Sequence, residues 1–299
     1  MNDIDIHQLH KFQYKILEEF DRVCKKYGLT YFLAYGTLLG AVRHNGFIPW
    51  DDDIDTLMPY QDYLKLKKVP KEEWQEPFFF QDCYTDPAFR VCFSKLRNSN
   101  TTLITDATVN MDINQGVDID IYPLINLADN SVERKLQMME TQLYMLLQVN
   151  DPPRKHGKIY YYAGKIALGM LPERVKARLK DKLLKRITSY ETKDTKECYV
   201  VNGNLEVLRQ TLSRKWFSSA VKHVFENEEF PIPVGADEWL RLRYGDKYME
   251  MPPKEIQGIK WDMFVKIDLE NGYKKYKGIY YCTNTDKRTI VNNRWVNYS

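Results

Sequence analysis

Apolar positions recur at steps of three and four near the start of the chain. Leu9, Phe12, Ile16, Phe20, Val23 and Tyr27 mark one face of a helix over about residues 5 to 27, and Gly28 is placed to stop it. Residues 30 to 35, Thr-Tyr-Phe-Leu-Ala-Tyr, are strand formers that run into Gly36, where the chain must turn. A short helix over Thr37 to Arg43 follows, ended around Asn45-Gly46. From Asp53 to Met58 acid alternates with apolar residue, the pattern of a strand with one wet and one packed face. Tyr60 to Lys68 reads as helix again. Short strands are predicted over 78–83, 90–96 and 101–105, and a stronger one over Val117 to Tyr122, V-D-I-D-I-Y. Residues 131–149 form a long amphipathic helix with Val132, Leu136, Met139, Leu143, Leu146 and Leu147 on its apolar side. Residues 205–250 read as helical with a loop at Pro231 to Gly235. Beyond Pro252-Pro253 aromatics alternate with charges, which predicts a terminal β-hairpin. The pattern predicts an α/β (α+β) chain: a mixed sheet flanked by helices over 1–150, and a largely helical part over 151–299 that completes the core.

Composition narrows the class only modestly. The chain has 299 residues, 43% hydrophobic and 28% charged, which suits a soluble globular protein with a real core. A net charge of +3 gives no reason to expect nucleic acid as a partner. No run of 18 apolar residues occurs, and the opening MNDIDIHQLH is polar and acidic, unlike a secretory leader. The five cysteines are scattered without a C-x-x-C pair, as free thiols in a reducing cytoplasm would be.

Charge is nevertheless uneven. From Arg154 to Tyr190 eleven lysines and arginines face only Glu173 and Asp181, and Leu171, Val175, Leu179, Leu183 and Ile187 fall four apart among them. Such a segment is a solvated basic face on a packed helix, an interfacial helix on an anionic membrane, or a cradle for an anionic acceptor. The second reading would put a cytoplasmic protein peripherally at the inner membrane face.

The candidate chemistry lies between Tyr31 and Tyr60, YFLAYGTLLGAVRHNGFIPWDDDIDTLMPY. Four of the five positions from Asp51 to Asp55 are aspartate, bounded by apolar residues, and so many carboxylates so close are costly without a positive partner. Asp53 and Asp55, two apart on a strand, share a face, and Asp51 joins them if the strand begins that early. Mg²⁺ takes one or two carboxylates and completes its shell with substrate phosphates. Asp118 and Asp120 repeat the pattern on a second strand and offer a further ligand or a general base. The plain alternative is an acidic turn paired with lysines and arginines. Gly36-Thr37, between strand and helix, could present free N–H groups to a phosphate. Arg43 and His44 close that helix, and Lys95 and Arg97, two apart on a strand, could reach a pyrophosphate.

The run G-T-L-L-G-A-V-R-H-x-G-F-I-P-W-D-D-D-I-D resembles the LicD family, shared by the fukutin-related transferases. The match continues into V-D-I-D-I-Y-P at Val117–Pro123 and into Tyr244-Gly245-Asp246, covering about residues 10 to 255 with gaps. The resemblance implies a nucleotidyltransferase-like fold and Mg²⁺-dependent transfer of a phosphorylated alcohol from a CDP-linked donor to a sugar hydroxyl, with Mn²⁺ as a substitute metal. The best known donor is CDP-choline; ribitol or glycerol phosphate conjugates serve relatives. The acceptor it implies is a glycan or lipid-linked oligosaccharide of a cell-surface polysaccharide, teichoic acid or lipopolysaccharide. By position, Asp53, Asp55 and Asp120 match its metal ligands, with Asp51 as an additional acid. Two departures stand out: Tyr35, where relatives commonly have a small residue, and Tyr60, where a basic one is common. The cysteine-rich metal loop of the fukutin-related branch is not seen. True nucleotidyl transfer and a non-catalytic nucleotide- or glycan-binding role are the alternative readings.

Overall fold

The computed structural model describes residues 5–152, 158–258, 261–283, 288–291 and 294–297. Helix α1 (Ile6–Tyr27) starts at Asp5, whose carboxylate accepts the His7 N–H, and stops at Gly28 in the left-handed conformation. Most of its predicted stripe is buried: Leu9, Ile16, Phe20 and Val23 are inaccessible to solvent, Phe12 is half-buried, and Tyr27 at the end is exposed. The next strand is shorter than expected. Only β1 (Phe32–Leu33) pairs, and Tyr35 already opens α2 (Tyr35–His44). Gly40 inside α2 lets the following loop cross it, since a β-carbon there would lie 2.4 Å from the Gly46 carbonyl oxygen.

Strand β2 (Asp55–Pro59) begins two residues later than its alternation suggested, so Asp53 precedes it. It lies second in a sheet ordered β1-β2-β6-β4-β3, with β3 at Phe78–Gln81, β4 at Ser94–Asn98 and β6 at Val117–Leu127. β2 runs parallel to β6, and the other pairings are antiparallel. The wet face expected of β2 is absent: residues 55–58 are all buried, because a strand inside a covered sheet has no solvent side. Strand β6 outruns its predicted end. Its second half, Leu124–Leu127, pairs with β7 (Glu197–Val200), which in turn pairs with β8 (Leu212–Ser213). Between β2 and β3 lies α3 (Tyr60–Leu66), and β5 (Thr102–Thr105) pairs separately with β11 (Phe264–Asp268).

Helix α4 (Ser131–Val149) lies where predicted, but only the end of its predicted apolar side reaches the core, with Leu147 buried and Leu146 half-buried. Val132, Leu136, Met139 and Leu143 face outward, with Val132 73% and Met139 66% exposed. Gln137, Thr141 and Gln148 are buried instead. Gln137 accepts from Ala128 N–H and donates to the Asn126 and Ile187 carbonyls, while Thr141 bonds the Tyr199 hydroxyl at 2.9 Å. These side chains close backbone groups at the ends of β6 and α6 that would otherwise be buried without partners, which outweighs the loss of apolar burial. Helices α5 (Lys158–Met170) and α6 (Glu173–Ile187) follow.

Residues 205–250 are less helical than predicted. Between short α7 (Leu205–Arg209) and α8 (Ala236–Tyr244) lies a hairpin, β9 (Ala220–Phe225) with β10 (Glu228–Pro233). Its tip residue Glu226 takes positive φ, accepts the Phe47 N–H and donates its own N–H to the Asn45 carbonyl, so the hairpin anchors the chain leaving α2. A terminal hairpin does form, β12 (Arg288–Val291) with β13 (Arg294–Asn297). One apolar core joins residues from Ile6 to Ile267.

Candidate active site

Strand pairing builds the centre of the site. Asp55 of β2 stands opposite Asp120 of β6, and Asp120 stands opposite Lys95 of β4, so the three form one row across the sheet. Ile119 and Ile121, on alternate positions of β6, turn into the core instead. Asp55 is held by three backbone ties. Its N–H donates to Thr37 Oγ1 at 2.8 Å, its carbonyl accepts from Ala34 N–H, and Ile54 before it accepts from Asp120 N–H. The Tyr122 hydroxyl donates to Asp120 Oδ2 at 2.6 Å, and Lys95 Nζ lies 2.6 Å from Asp120 Oδ1.

The carboxylates are not equivalent. Burial would raise Asp118, but Arg97 and Lys95 beside it outweigh that and hold it below the usual carboxylate range. Asp55 is pushed well above that range by burial and by Asp120 and Asp51, which Tyr122 and Lys95 only partly offset. Its Oδ1 is buried without a hydrogen-bond partner. Asp53 is exposed at the surface, yet lost hydration and the charges of Asp55, Asp51, Asp52 and Asp120 push its carboxyl above the usual range. Asp51 is pushed up to about 6 by burial and by Asp52. Its carboxylate lies over the first turn of α2, where a β-carbon at Gly36 would come within 2.3 Å of Oδ2.

This cluster suits a hard cation. A positive ion would compensate the orphaned carboxylate oxygen and the three carboxyls raised by burial and by one another's charge. Among the described residues no group of three His, Cys, Asp or Glu side chains converges as a ready-made cage. The Asp55–Asp120 pair with Asp53 at the rim therefore fits an ion that takes few protein ligands and completes its shell from substrate phosphates, as Mg²⁺ does.

Not every residue singled out in the sequence comes to this point. Gly36 and Thr37 do, but Thr37 spends its hydroxyl as acceptor for Asp55, and Gly36 makes room for Asp51. Lys95 is shared between Asp118 and Asp120. Arg97, expected to reach a pyrophosphate, is 2% exposed and committed to Gln81, the Gly116 carbonyl and Asp118. Asp118, neutralised by two cations, is removed from the candidate bases. Arg43 and His44 sit at the far end of α2, about 10 Å of helix from Gly36, where Arg43 donates to the Tyr248 and Glu250 carbonyls and to His44 Nε2. They tie α2 to the segment after α8.

Other residues enter that the sequence did not mark. His10 of α1 donates Nε2–H to the Asp51 carbonyl at 2.7 Å and stacks on Phe47 at 3.9 Å, and Gln13 donates to the Asp52 carbonyl. Both hold the acidic loop from below. Neither belongs to the apolar stripe read along this helix, and nothing local linked them to a loop forty residues on. On the opposite side, α8 brings Arg243 and Tyr244. The exposed Arg243 guanidinium lies 5.9 Å from the Tyr35 ring centre, and Tyr244 is pushed up by burial, with Asp55, Asp51 and Asp53 adding to it. Tyr35, at φ +45°, wedges its ring edge-on between Trp239 and Tyr122. The Tyr244-Gly245-Asp246 match pointed at this helix end without marking the arginine before it.

Comparison with known proteins agrees with this geometry. Residues 28–142, which contain the acidic loop, β2, β4 and most of β6's neighbours, match the LicD/FKTN/FKRP nucleotidyltransferase domain. The chain is 27% identical over 263 residues to the lipopolysaccharide cholinephosphotransferase LicD of Haemophilus influenzae, covering 81% of this chain and 90% of that protein. An uncharacterized protein of Rickettsia prowazekii is 34% identical over 82 residues, 26% of this chain and 29% of its own. One from Rickettsia typhi is 36% identical over 56 residues, 19% of this chain and 18% of its own. The long alignment and the domain match converge on one statement: residues 28–142, which carry Asp55, Asp120 and Lys95, match the LicD/FKTN/FKRP nucleotidyltransferase domain, and most of the chain is similar to a LicD protein.

Proposed function

We propose that the protein is a phosphotransferase that moves phosphocholine from CDP-choline to a sugar hydroxyl of a cell-surface glycan, lipopolysaccharide first among them, and releases CMP. The observation that carries this is the pairing of buried Asp55, with its orphaned oxygen, and half-buried Asp120, in a chain aligned with a lipopolysaccharide cholinephosphotransferase over most of both lengths. Asp53, Asp55 and Asp120 would hold Mg²⁺. When bound, the ion supplies charge neutralisation at the donor's pyrophosphate.

The chain's own residues account for the rest. The acceptor oxygen forms a bond to the phosphocholine phosphorus as the bond from that phosphorus to the bridging oxygen breaks, and CMP leaves with the electron pair. Such transfer depends mainly on positioning and charge. Asp51, pushed up to about 6, suits acceptance of the acceptor's proton near neutral pH. Tyr122 and Lys95 fix Asp120 from both oxygens. Arg243, exposed beside the Tyr35 ring, would engage donor phosphate.

Replacing Asp53 or Asp55 by Asn should lower kcat/KM on the order of 10³-fold or more with the fold retained, whereas Arg243→Ala should chiefly raise the donor KM. Product analysis with CDP-choline and lipopolysaccharide decides the reaction: CMP supports the proposal, and free phosphocholine with CMP carried on the acceptor would mean nucleotidyl transfer. A CDP-ribitol or CDP-glycerol preference would change the alcohol and leave the site assignment standing.

A further inference from the structure

Helix α5 is an anomaly for a globular protein. Over its thirteen residues Leu168 is buried, while Ile159 is 83% exposed and Met170 78%, with Tyr162 and Ile166 also exposed between them. The spacing 159, 162, 166, 170 makes one outward stripe, flanked by the exposed Lys158 and Lys165. Immediately after a two-residue turn, α6 turns Arg174, Arg178, Lys182 and Lys185 to solvent, and none of the four has an ion-pair partner among the described residues. From Lys158 to Ile187 nine lysines and arginines stand against Glu173 and Asp181, a net of seven positive charges. Neighbouring α4 also leaves Val132, Leu136, Met139 and Leu143 exposed.

An apolar stripe of this size needs a cover. A second copy is the poorer occupant, because a two-fold interface would set this basic face against itself. The flanking charges select the alternative. We infer that α5 and α6 form a docking surface for an anionic lipid bilayer, with α5 lying in the interface plane and the arginines and lysines of α6 facing the headgroups. No described helix is long and apolar enough to cross a membrane, so the contact is peripheral. This rests on independent residues from the active site. It would bring the enzyme to a lipid-borne acceptor if the proposed reaction is right, and it stands as a lipid contact if that reaction is wrong.

The test is sedimentation of the full-length protein with vesicles of phosphatidylcholine alone or with phosphatidylglycerol added. Binding is expected only to the phosphatidylglycerol vesicles, falling as salt rises. Changing Arg174, Arg178, Lys182 and Lys185 together to Gln should weaken partitioning by at least ~10²-fold, and Ile159→Ser with Ile166→Ser and Met170→Ser should abolish it. Both variants should keep the wild-type Tm and the wild-type rate on a soluble acceptor. Vesicle binding that neither variant reduces, no binding to either vesicle, or a wild-type dimer in solution that the serine variant dissociates would each overturn the inference. A protein that binds vesicles yet transfers nothing from CDP-choline would sink the proposed reaction alone.

Discussion

At the scale of the residue, Asp55 carries opposing demands. Its folded-state carboxyl sits well above the ordinary range because burial and two neighbouring carboxylates disfavour the charge. The native state therefore keeps the proton at pH values where the unfolded chain has released it. Stability from this group is greatest in acid and declines as pH rises through the ordinary carboxylate range and beyond. Asp55→Asn, which carries no charge, escapes that decline. In chelator-containing buffer the variant's Tm should match wild type near about pH 4 and exceed it increasingly toward about pH 7.5. Added Mg²⁺ should raise the wild-type Tm at the higher pH and leave the variant nearly unmoved. A constant difference across pH would show that Asp55 is compensated in some other way. A position that destabilises its own fold and would hold a catalytic ion fits the usual conflict between function and stability. Much of this residue's part was legible: D-D-D-I-D between apolar flanks announced a cluster in want of a cation. What could not be read was rank within the cluster. Asp118 and Asp120 look alike on one strand, and only the strand pairing shows that Arg97 neutralises the first while Asp55 faces the second.

The element that best shows where patterning fails is α4. Its ends were readable, from the Asn130 cap to the left-handed Asn150, yet its orientation was not. Periodicity finds a stripe but cannot say what the opposite stripe is needed for. Here Gln137 satisfies one backbone N–H and two carbonyls inside the fold, and those partners come from residues 126 to 187. Adjacent positions should then respond against the usual expectation. Leu136→Gln, outward, should change stability by no more than about 0.5 kcal/mol. Gln137→Leu, a gain in hydrophobicity, should cost about 2–4 kcal/mol by stranding three buried polar groups. Urea denaturation of the two variants reads both values, and equal effects would mean the helix can rotate to bury its apolar side. The hairpin β9–β10 failed to show in the pattern for a related reason. Ala220 to Phe225 is mostly exposed, so its identity as a strand lies in pairing and not in a buried face.

For the whole molecule, the question is whether residues 1–150, which contain every carboxylate of the site, can stand alone. The packing says they cannot. Strand β6, at the centre of the sheet, has its second half paired by β7. The rings that close the N-terminal half come from later in the chain: Phe217 against Phe32 at 5.7 Å, Phe225 against Phe47 at 4.9 Å, Phe230 against Tyr14 at 5.9 Å, and Trp239 against Tyr35 at 5.4 Å. Removing one such buried ring typically costs about 3–5 kcal/mol, and a domain's whole margin is about 5–15 kcal/mol, so losing all four exhausts it. Arg243 and Tyr244 at the mouth of the site would go as well. A fragment ending at Asn150 should therefore show no cooperative thermal transition and no Mg²⁺-dependent stabilisation by CDP-choline, whereas the full chain should melt in one step. Cooperative melting of the fragment together with CDP-choline binding would refute this and make the later residues an accessory to a self-sufficient catalytic domain. The acidic loop defines the chemistry in sequence, but it becomes a site only when residues two hundred positions away close over it.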